Sequence, residues 1–390
     1  MSIFFGESFQ NLRELNGLSR KEIACKIGAT EQEVLGYEIQ TDVPKFDVVN
    51  NAKKLFPVRA QFFYTRTFRY KKSKIESIAY SEVDRSSTKK VKMGMAFVDF
   101  SSYFIDKFEE RLVRPPNTIF VLREEVAKLN NKHIDFSPER FSLESIAEYA
   151  RKKLDVIENK ELLYKLEISG IYVLEKSLGT SMDAYSTWVD SEKSFIVLGD
   201  KKKSTVHRNF ELAHELGHLL LHYKVDMNSL SKDELKKIDK EANDFASLFL
   251  LPREQFIEDF STVQIKSNPK AYMNLKSKYM VRIDTLESRA YNLGLLTFEE
   301  NQYFYTLLNR YGYRKTEPLD EDIVIIRPGK IRALLDIVLK NEIYVLSDIL
   351  DEHKIDRAFV ESLFCLEDSF LSKYDNNSND KIFSPFPNFN

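Results

Sequence analysis

The pentapeptide His214-Glu215-Leu216-Gly217-His218 constrains the fold of this chain of 390 residues more than any other stretch. Residues i and i+4 of an α-helix lie one turn apart on the same face, so His214 and His218 can reach one ion if the stretch is helical. Apolar residues surround the pair in sequence, as in a helix that is buried beside a site. The stretch predicts such a helix at a metal centre, and the alternative is an ordinary charged helix face.

Two histidines leave a catalytic zinc short of one protein ligand, because such an ion has three protein ligands and one position for water. The stretch EANDFASLFLLP, which starts at Glu241, predicts a second helix, and the small residues Ala242 and Ala246 allow it to approach the histidine helix closely. Glu241 lies beside this packing face and is the candidate third ligand, with a solvated glutamate as the alternative. Asp239 and Asp244 are competitors, and Asp239 is expected to point elsewhere.

Glu215 flanks the histidines and is the candidate general base. A carboxylate can take a proton from a water whose pKa the metal lowers from 15.7 to about 7. His222 lies eight residues after His214, about 12 Å along the helix axis, so it is expected at the surface or behind a ligand. Tyr185 and Tyr223 are candidates for the hydroxyl that stabilises the oxyanion. The stretches 185–189 and 195–198 are expected to offer an edge to an extended peptide.

Three stretches with the composition of β-strands lie between helical stretches in the middle of the chain. They cover residues 171–176, 183–190 and 193–199. The predicted fold class is therefore α+β, mostly helical, with a small three-stranded sheet. The expected segments are a helix-turn-helix module (1–65), a helical connecting segment (66–139), a core with the metal motif (140–265), a C-terminal helical domain (266–375) and a flexible tail (376–390).

The composition excludes several classes of protein. Lys and Arg number 58 and Asp and Glu 60, and a formal net charge of −2 excludes a globally basic protein that coats nucleic acid. The two cysteines, Cys25 and Cys365, are far apart in the sequence and predict reduced thiols. No run approaches the ~18 apolar residues of a membrane span, and the start of the chain has no signal-peptide pattern. We expect a cytoplasmic protein without a membrane segment.

The first 65 residues predict a compact module of short helices. Ser19 and Thr30 have the positions of helix N-caps, and Gly28 makes a turn between the two helices that they begin. Short helices joined by a tight glycine turn are typical of a helix-turn-helix. The sequence therefore predicts a helix-turn-helix bundle at the N-terminus.

Longer stretches resemble the ImmA/IrrE family of metallopeptidases fused to an XRE-type helix-turn-helix domain. The matching stretches are HRNFELA leading into HELGHLLLH, then EANDFASLFLLP, and further on LKSKYMVRIDTLESRAYNLGLL and LNRYGYRKTEP. The likeness covers most of the chain from residue 1 to about 370 and is thinnest over 70–140. The combination of these stretches is far more specific than the pentapeptide alone.

The resemblance implies a zincin-like core in which His214, His218 and Glu241 hold one Zn²⁺ per chain and Glu215 is the catalytic base. Family members resemble proteases that cleave or inactivate a repressor in stress responses or in the control of mobile elements. The predicted function is therefore a zinc-dependent endopeptidase that cleaves a regulatory protein, with a repressor as its expected substrate and a homodimer as its possible assembly. The alternatives are a non-proteolytic transcription regulator and a stress sensor with a structural metal site.

The helix that would read DNA departs from the XRE pattern. Base contacts in the major groove usually come from Arg, Lys, Asn or Gln on the first turn of such a helix. Glu31 and Glu33 occupy that turn here and would be repelled by phosphates, so Gln32 is the one candidate for reading a base. We expect weak or no specific DNA binding, with dimerisation or docking of a partner repressor as the alternative role. The scattered basic residues of 66–92 indicate a solvated linker and helix surface, with a nucleic-acid patch as the alternative.

Overall fold

The computed structural model describes residues 3–66, 88–131, 142–176, 184–199, 204–227, 229–367 and 369–374. These residues form α-helices and one small sheet of three strands, so the α+β, mostly helical class is confirmed. Within them the chain forms two compact units. The first combines residues 3–66, 88–114 and 331–374, and the second comprises 115–330. Most of the basic stretch 66–92 and the whole tail 376–390 lie outside the described residues.

The first unit begins with four short helices and a longer fifth helix. These are α1 (Gly6–Leu15), α2 (Arg20–Ile27), α3 (Glu31–Glu38), α4 (Phe46–Leu55) and α5 (Thr88–Glu109). Ser19 and Glu22 form a capping box at the start of α2, and Thr30 and Glu33 form another at the start of α3. Gly28 ends α2 with φ of 75°, a left-handed conformation that glycine adopts without a steric penalty. Local sequence therefore determines where α2 and α3 begin and where α2 ends.

The second unit contains the sheet, which confirms the three predicted strands. They are β1 (Tyr172–Lys176), β2 (Ala184–Val189) and β3 (Lys193–Gly199), in the order β1-β3-β2. Strand β3 pairs in parallel with β1 and antiparallel with β2. Because β3 is the central strand, residues 195–198 have a paired strand on each side, and the expectation that they offer a free edge is wrong.

Helices cover the sheet and extend beyond it in the second unit. They are α6 (Thr118–Asn131), α7 (Leu143–Lys153), α8 (Leu162–Ser169), α9 (Thr205–Leu221), α10 (Lys232–Leu250), α11 (Arg253–Phe260), α12 (Met273–Tyr279), α13 (Ile283–Asn292) and α14 (Phe298–Arg310). Helix α6 buries Ile119, Leu122 and Val126 in the same core as the sheet and α9. The stretch that the sequence analysis described as a connecting segment thus contributes to the core.

Helices α9 and α10 pack closely together in the core of this unit. A Cβ atom placed on Gly217 of α9 would lie 3.4 Å from Cα of Ala242 and 3.0 Å from Cδ1 of Phe245, both on α10. Most residues of α9 are buried, and polar side chains such as Arg208 and Asn209 are among them. The absence of a side chain at Gly217 therefore sets how near the two helices come.

The chain returns to the first unit with α15 (Lys330–Lys340), α16 (Leu346–His353) and α17 (Arg357–Leu363). Val58 and Ile355 form an isolated antiparallel bridge, and the amide of Arg59 donates to the carbonyl of Lys354 over 2.8 Å. The N-terminal helices and the last helices thus form one core. In the described ranges, no helix has both the length and the apolar character that crossing a lipid bilayer requires.

Candidate metal centre

Helix α9 places His214 and His218 so that their Nε2 atoms are 3.1 Å apart. Two nitrogen ligands at about 2.0–2.1 Å from a tetrahedral zinc are about 3.3 Å apart, so this spacing suits a single ion. Burial lowers the pKa of His214, although Asp239 and other neighbours act in the opposite direction. A neutral imidazole is the form that binds a metal. The pair therefore provides two ligand atoms that converge on one point.

Asp239 of α10 completes a group of three ligand atoms. Its Oδ1 lies 3.6 Å from Nε2 of His214, and one atom each of His214, His218 and Asp239 all lie within 4.8 Å of one another. The expectation that Asp239 points elsewhere is wrong. It precedes Ala242 by three residues and Ala246 by seven, and residues at these spacings share one face of a helix. That face of α10 packs on α9, so Asp239 is directed at the histidines.

Glu241, the ligand predicted from the sequence, contacts a different histidine. Its Oε2 lies 3.3 Å from Nε2 of His222, and about half of its side chain is exposed. The hydrogen bond with His222 lowers the pKa of Glu241, against the effect of partial burial. Asp244, the second competitor, is largely exposed and lies 3.7 Å from the ammonium of Lys240. Of the three acidic residues on α10 that the sequence put forward, the structure brings Asp239 to the histidine pair.

Glu215 lies between the two histidines in sequence and is buried against the sheet. Its backbone carbonyl accepts a hydrogen bond of 3.3 Å from the hydroxyl of Ser186, yet its Oε2 atom has no hydrogen-bond partner among the described residues. Burial raises the pKa of Glu215 to about 8, with a smaller opposite effect from Ser186. A cation at the histidine nitrogens would stabilise the ionised form. The unpaired carboxylate oxygen and the three converging ligand atoms together fit a bound metal ion.

Asn243 orients the first histidine of the centre. Its Oδ1 lies 3.0 Å from Nδ1 of His214, and its Nδ2 donates to Oδ2 of Asp239 over 3.2 Å. An amide oxygen can only accept, so Nδ1 of His214 carries the proton and Nε2 is left free to bind a metal. Asn243 was not among the residues predicted for the site, although its spacing of four residues from Asp239 places both on one helix face. Nothing in the sequence pointed to Ser186, because its contact with α9 depends on the packing of the sheet.

The two tyrosine candidates for an oxyanion donor lie in different surroundings. Ser186 and Trp188 of β2 donate to carbonyls of α9, the indole of Trp188 to Leu219 over 3.0 Å. Side chains alternate between the two faces of a strand, so Tyr185 is on the face away from α9. Tyr223 follows the end of α9, and its ring lies against the guanidinium of Arg123. The hydroxyl of Tyr223 is buried without a hydrogen-bond partner among the described residues, so its role as an oxyanion donor stays a prediction.

Gln32, the candidate for reading DNA, is an exposed residue on the first turn of α3 in the first unit. Its neighbour Glu33 accepts hydrogen bonds from the amide and the hydroxyl of Thr30, at 2.7 and 2.9 Å, and these lower the pKa of Glu33. The carboxylate is therefore ionised at neutral pH and fixed beside Gln32. The first turn of α3 presents negative charge to solvent.

Residues 166–291 match the family model Peptidase_M78, which is described as the IrrE N-terminal-like domain. No curated protein matches the chain. The matched range contains the sheet, α9, α10 and nearly all of α13, and with them the residues of the candidate metal centre. The second unit thus holds a region similar to metallopeptidase domains of the IrrE kind, and the candidate metal centre lies entirely within that region.

Proposed function

We propose that the chain is a zinc-dependent endopeptidase of the ImmA/IrrE type that cleaves a regulatory protein. The observation that carries the proposal is the convergence of ligand atoms of His214, His218 and Asp239, together with the buried carboxyl group of Glu215 on the same helix as the two histidines. A structural zinc site is usually closed by four protein ligands. Three protein ligands leave one position for water, and this arrangement, with an acidic residue such as Glu215 on the same helix, is typical of a catalytic centre.

A zinc ion at this centre would supply Lewis acidity, which polarises a peptide carbonyl and makes water more acidic. Glu215 would take a proton from the attacking water and give it to the leaving amine, as general base and then general acid. Asn243 would keep His214 in the tautomer that leaves Nε2 free. Burial of Glu215 keeps other water molecules away from its carboxyl group.

Strand β2 is suited to hold an extended peptide substrate. It is an edge strand of the sheet in the described residues, and it is the strand whose Ser186 and Trp188 contact α9. Peptides commonly add as a further strand to such an edge, through main-chain hydrogen bonds. A peptide bound there would run alongside the helix that carries His214 and His218.

The substitution Glu215→Gln tests the enzymatic role. Glutamine keeps the size of the side chain but cannot act as a base at neutral pH, so proteolysis should fall at least ~100-fold while one zinc per chain is retained. The measurement is zinc content by metal analysis together with cleavage of proteins captured by the inactive variant and identified by mass spectrometry. Unchanged cleavage by the purified variant would overturn the proposal. A non-proteolytic regulator with a structural metal would show no cleavage in the wild-type protein either.

We assign the N-terminal helices to partner recognition rather than to specific DNA binding. Helix α3 begins with Glu31 and the ionised Glu33, and four apolar side chains follow at exposed positions. These are Leu35, Ile39, Val43 and Phe46. An acidic first turn followed by exposed apolar residues suits a protein surface better than a phosphate backbone. A repressor that docks on this surface would be bound by the same protein that cleaves it.

A further inference from the structure

A third histidine of the same region, His222, is buried against the metal centre without belonging to the converging ligand atoms. Helix α9 ends at Leu221, and His222 is its C-cap residue with φ of −112° and ψ of 8°. Its Nδ1 atom lies 3.0 Å from Nδ1 of His218, and its Nε2 atom lies 3.3 Å from Oε2 of Glu241. His222 therefore connects a candidate metal ligand to a carboxylate on α10.

The directions of these hydrogen bonds follow from the chemistry of the groups. A neutral imidazole has one N–H donor and one acceptor nitrogen. If Nε2 of His218 binds the metal, its Nδ1 carries the proton and donates to Nδ1 of His222. The proton of His222 is then on Nε2, which faces the carboxylate of Glu241, a group that can only accept. One assignment of protons thus satisfies both hydrogen bonds of His222, the one with His218 and the one with Glu241.

The two ligand histidines are held by different partners. His214 donates directly to an amide oxygen of α10, that of Asn243. Nδ1 of His218 instead contacts the imidazole of His222, and His222 in turn contacts the carboxylate of Glu241 on α10. Partners of this kind fix the tautomer and the ring orientation of a ligating histidine, and their loss typically costs 10–100-fold in metal affinity.

We propose that His222, held by Glu241, is the positioning residue of His218: it keeps Nδ1 of His218 protonated so that Nε2 faces the metal. This inference rests on the proposed function, because it requires that His218 binds a metal. It gives Glu241 a role other than that of a ligand.

The test measures zinc affinity of the full-length protein by competition with a chromogenic chelator. His222→Ala should bind zinc 10–100-fold more weakly with the stoichiometry of one per chain retained. His222→Gln should recover most of the affinity, because its amide oxygen can accept from Nδ1 of His218. The matched control is His207→Ala, which removes a histidine of α9 whose Nε2 lies 2.9 Å from a glutamate, Glu211, about two turns before His214. That variant should bind zinc as the wild-type protein does.

A second measurement reads the tautomers directly. The chain has six histidines, and nitrogen chemical shifts of ¹⁵N-histidine-labelled, zinc-loaded protein distinguish Nδ1–H from Nε2–H. We expect His218 protonated at Nδ1 and His222 protonated at Nε2, with the His222 signal changed by Glu241→Gln.

Several outcomes would overturn the inference. One is wild-type zinc affinity in His222→Ala, and another is a His222→Gln variant as weak as His222→Ala, which would indicate a packing role alone. A third outcome is that His222→Ala and Glu241→Ala both lose zinc completely while Asp239→Ala retains it. That result would show that His222 and Glu241 are themselves metal ligands. A wild-type protein that binds no zinc would overturn the proposed function itself, and that result differs from each of the others.

Discussion

Two acidic residues of α10, separated by a single position, contact different histidines. Asp239 lies near His214, and Glu241 lies near His222. Successive residues of a helix are rotated by about 100° around its axis, so two positions correspond to about 200°. Which of the two carboxylates faces His214 and His218 therefore depends on how α10 is rotated against α9.

At the residue scale, the first prediction concerns the third ligand. Asp239→Ala should lower zinc affinity by more than ~100-fold, beyond the 10–100-fold loss that is typical of residues behind a ligand. The reason is that two protein ligands and water hold zinc poorly. Zinc affinity of the purified variant, measured by chelator competition, checks this. The control is Asp244→Ala, which removes an exposed carboxylate of the same helix. Full zinc binding by Asp239→Ala together with loss in Glu241→Ala would restore Glu241 as the ligand.

The histidine pair itself supports a simple prediction about stoichiometry. The purified protein should contain about one zinc per chain, and the double variant His214→Ala/His218→Ala should contain none, because a single aspartate does not retain zinc. Metal analysis of both proteins after dialysis gives the answer. Full occupancy in the double variant would show that zinc binds at another place.

At the scale of secondary structure elements, the contact between α9 and α10 brings the ligands together. Gly217→Val would place side-chain atoms in the space that Ala242 and Phe245 occupy. Overpacking of this kind typically costs about 1–3 kcal/mol of unfolding free energy, and moving α10 would also carry Asp239 and Asn243 away from His214. We expect lower stability in denaturant and weaker zinc binding in the same variant.

Gly217→Ala is the matched comparison for that prediction. Its single Cβ is close enough to Phe245 that the ring must shift by a few tenths of an ångström, while alanine favours the helix by about 1 kcal/mol over glycine. Its stability should therefore lie much nearer to the wild-type value. Equal zinc affinities for the valine variant and the wild-type protein would show that close helix approach is not what positions the ligands.

For helix α3 we predict that substitutions raise DNA affinity, whereas substitutions in a DNA-reading helix ordinarily lower it. Replacing Glu31 and Glu33 by Gln should raise non-specific DNA affinity, because the repulsion of phosphates is removed, with a steeper salt dependence wherever new phosphate contacts form. Glutamine can also serve in a capping box, so α3 should keep its start at Thr30. Fluorescence anisotropy with duplex DNA at several salt concentrations measures the effect. A tight, sequence-specific footprint from the unmodified protein at physiological salt would contradict the assignment of this helix to protein recognition.

At the scale of the whole molecule, the N-terminal helices are not an independent appendage. The bridge between Val58 and Ile355 and the packing of Phe100 against Phe359, whose ring centres are 5.7 Å apart, join them and α5 to the last helices of the chain. Deletion of residues 1–65 would expose apolar side chains of that shared core. Substitutions on the surface of α3 are therefore the better test of its function.

The same core predicts a dependence of stability on pH. His353 is fully buried; its Nε2 lies 3.0 Å from the hydroxyl of Tyr103, and its Nδ1 donates to the carbonyl of Ile349 over 2.9 Å. Burial lowers the pKa of His353, so the folded protein favours the neutral ring. In the unfolded chain a histidine has a pKa of about 6.5. Below that pH the unfolded state binds more protons at His353 than the folded state does, so the free energy of unfolding falls.

This prediction is checked by melting temperatures between pH 7.5 and 5.5. The wild-type protein should lose stability as the pH falls below about 6.5, and His353→Gln should show a smaller loss over the same interval because it has no titrating group there. The comparison uses the change with pH within each protein, so a constant offset in stability does not affect it. Parallel curves for the two proteins would show that His353 does not contribute.

Much of this molecule follows from interactions within a few residues of sequence. The capping boxes at Ser19 and Thr30, the turn at Gly28, the three strands and the convergence of His214 and His218 each depend on neighbours at most four positions apart or on local composition. For such features the sequence is sufficient, because the partners are already close along the chain. The motif residues of the metal centre belong to this group.

Tertiary structure alone decided the features whose partners are distant in sequence. The rotation of α10 against α9 brings Asp239 to the histidine pair and leaves Glu241 at His222. The central position of β3 leaves β2 as the edge beside α9 and turns Tyr185 away from the ligands. The joining of the N-terminal helices with α15–α17 depends on contacts across almost the whole chain. Periodicity in the sequence shows which face of a helix or strand is apolar, but the angle at which two elements meet is set by the packing of side chains from both.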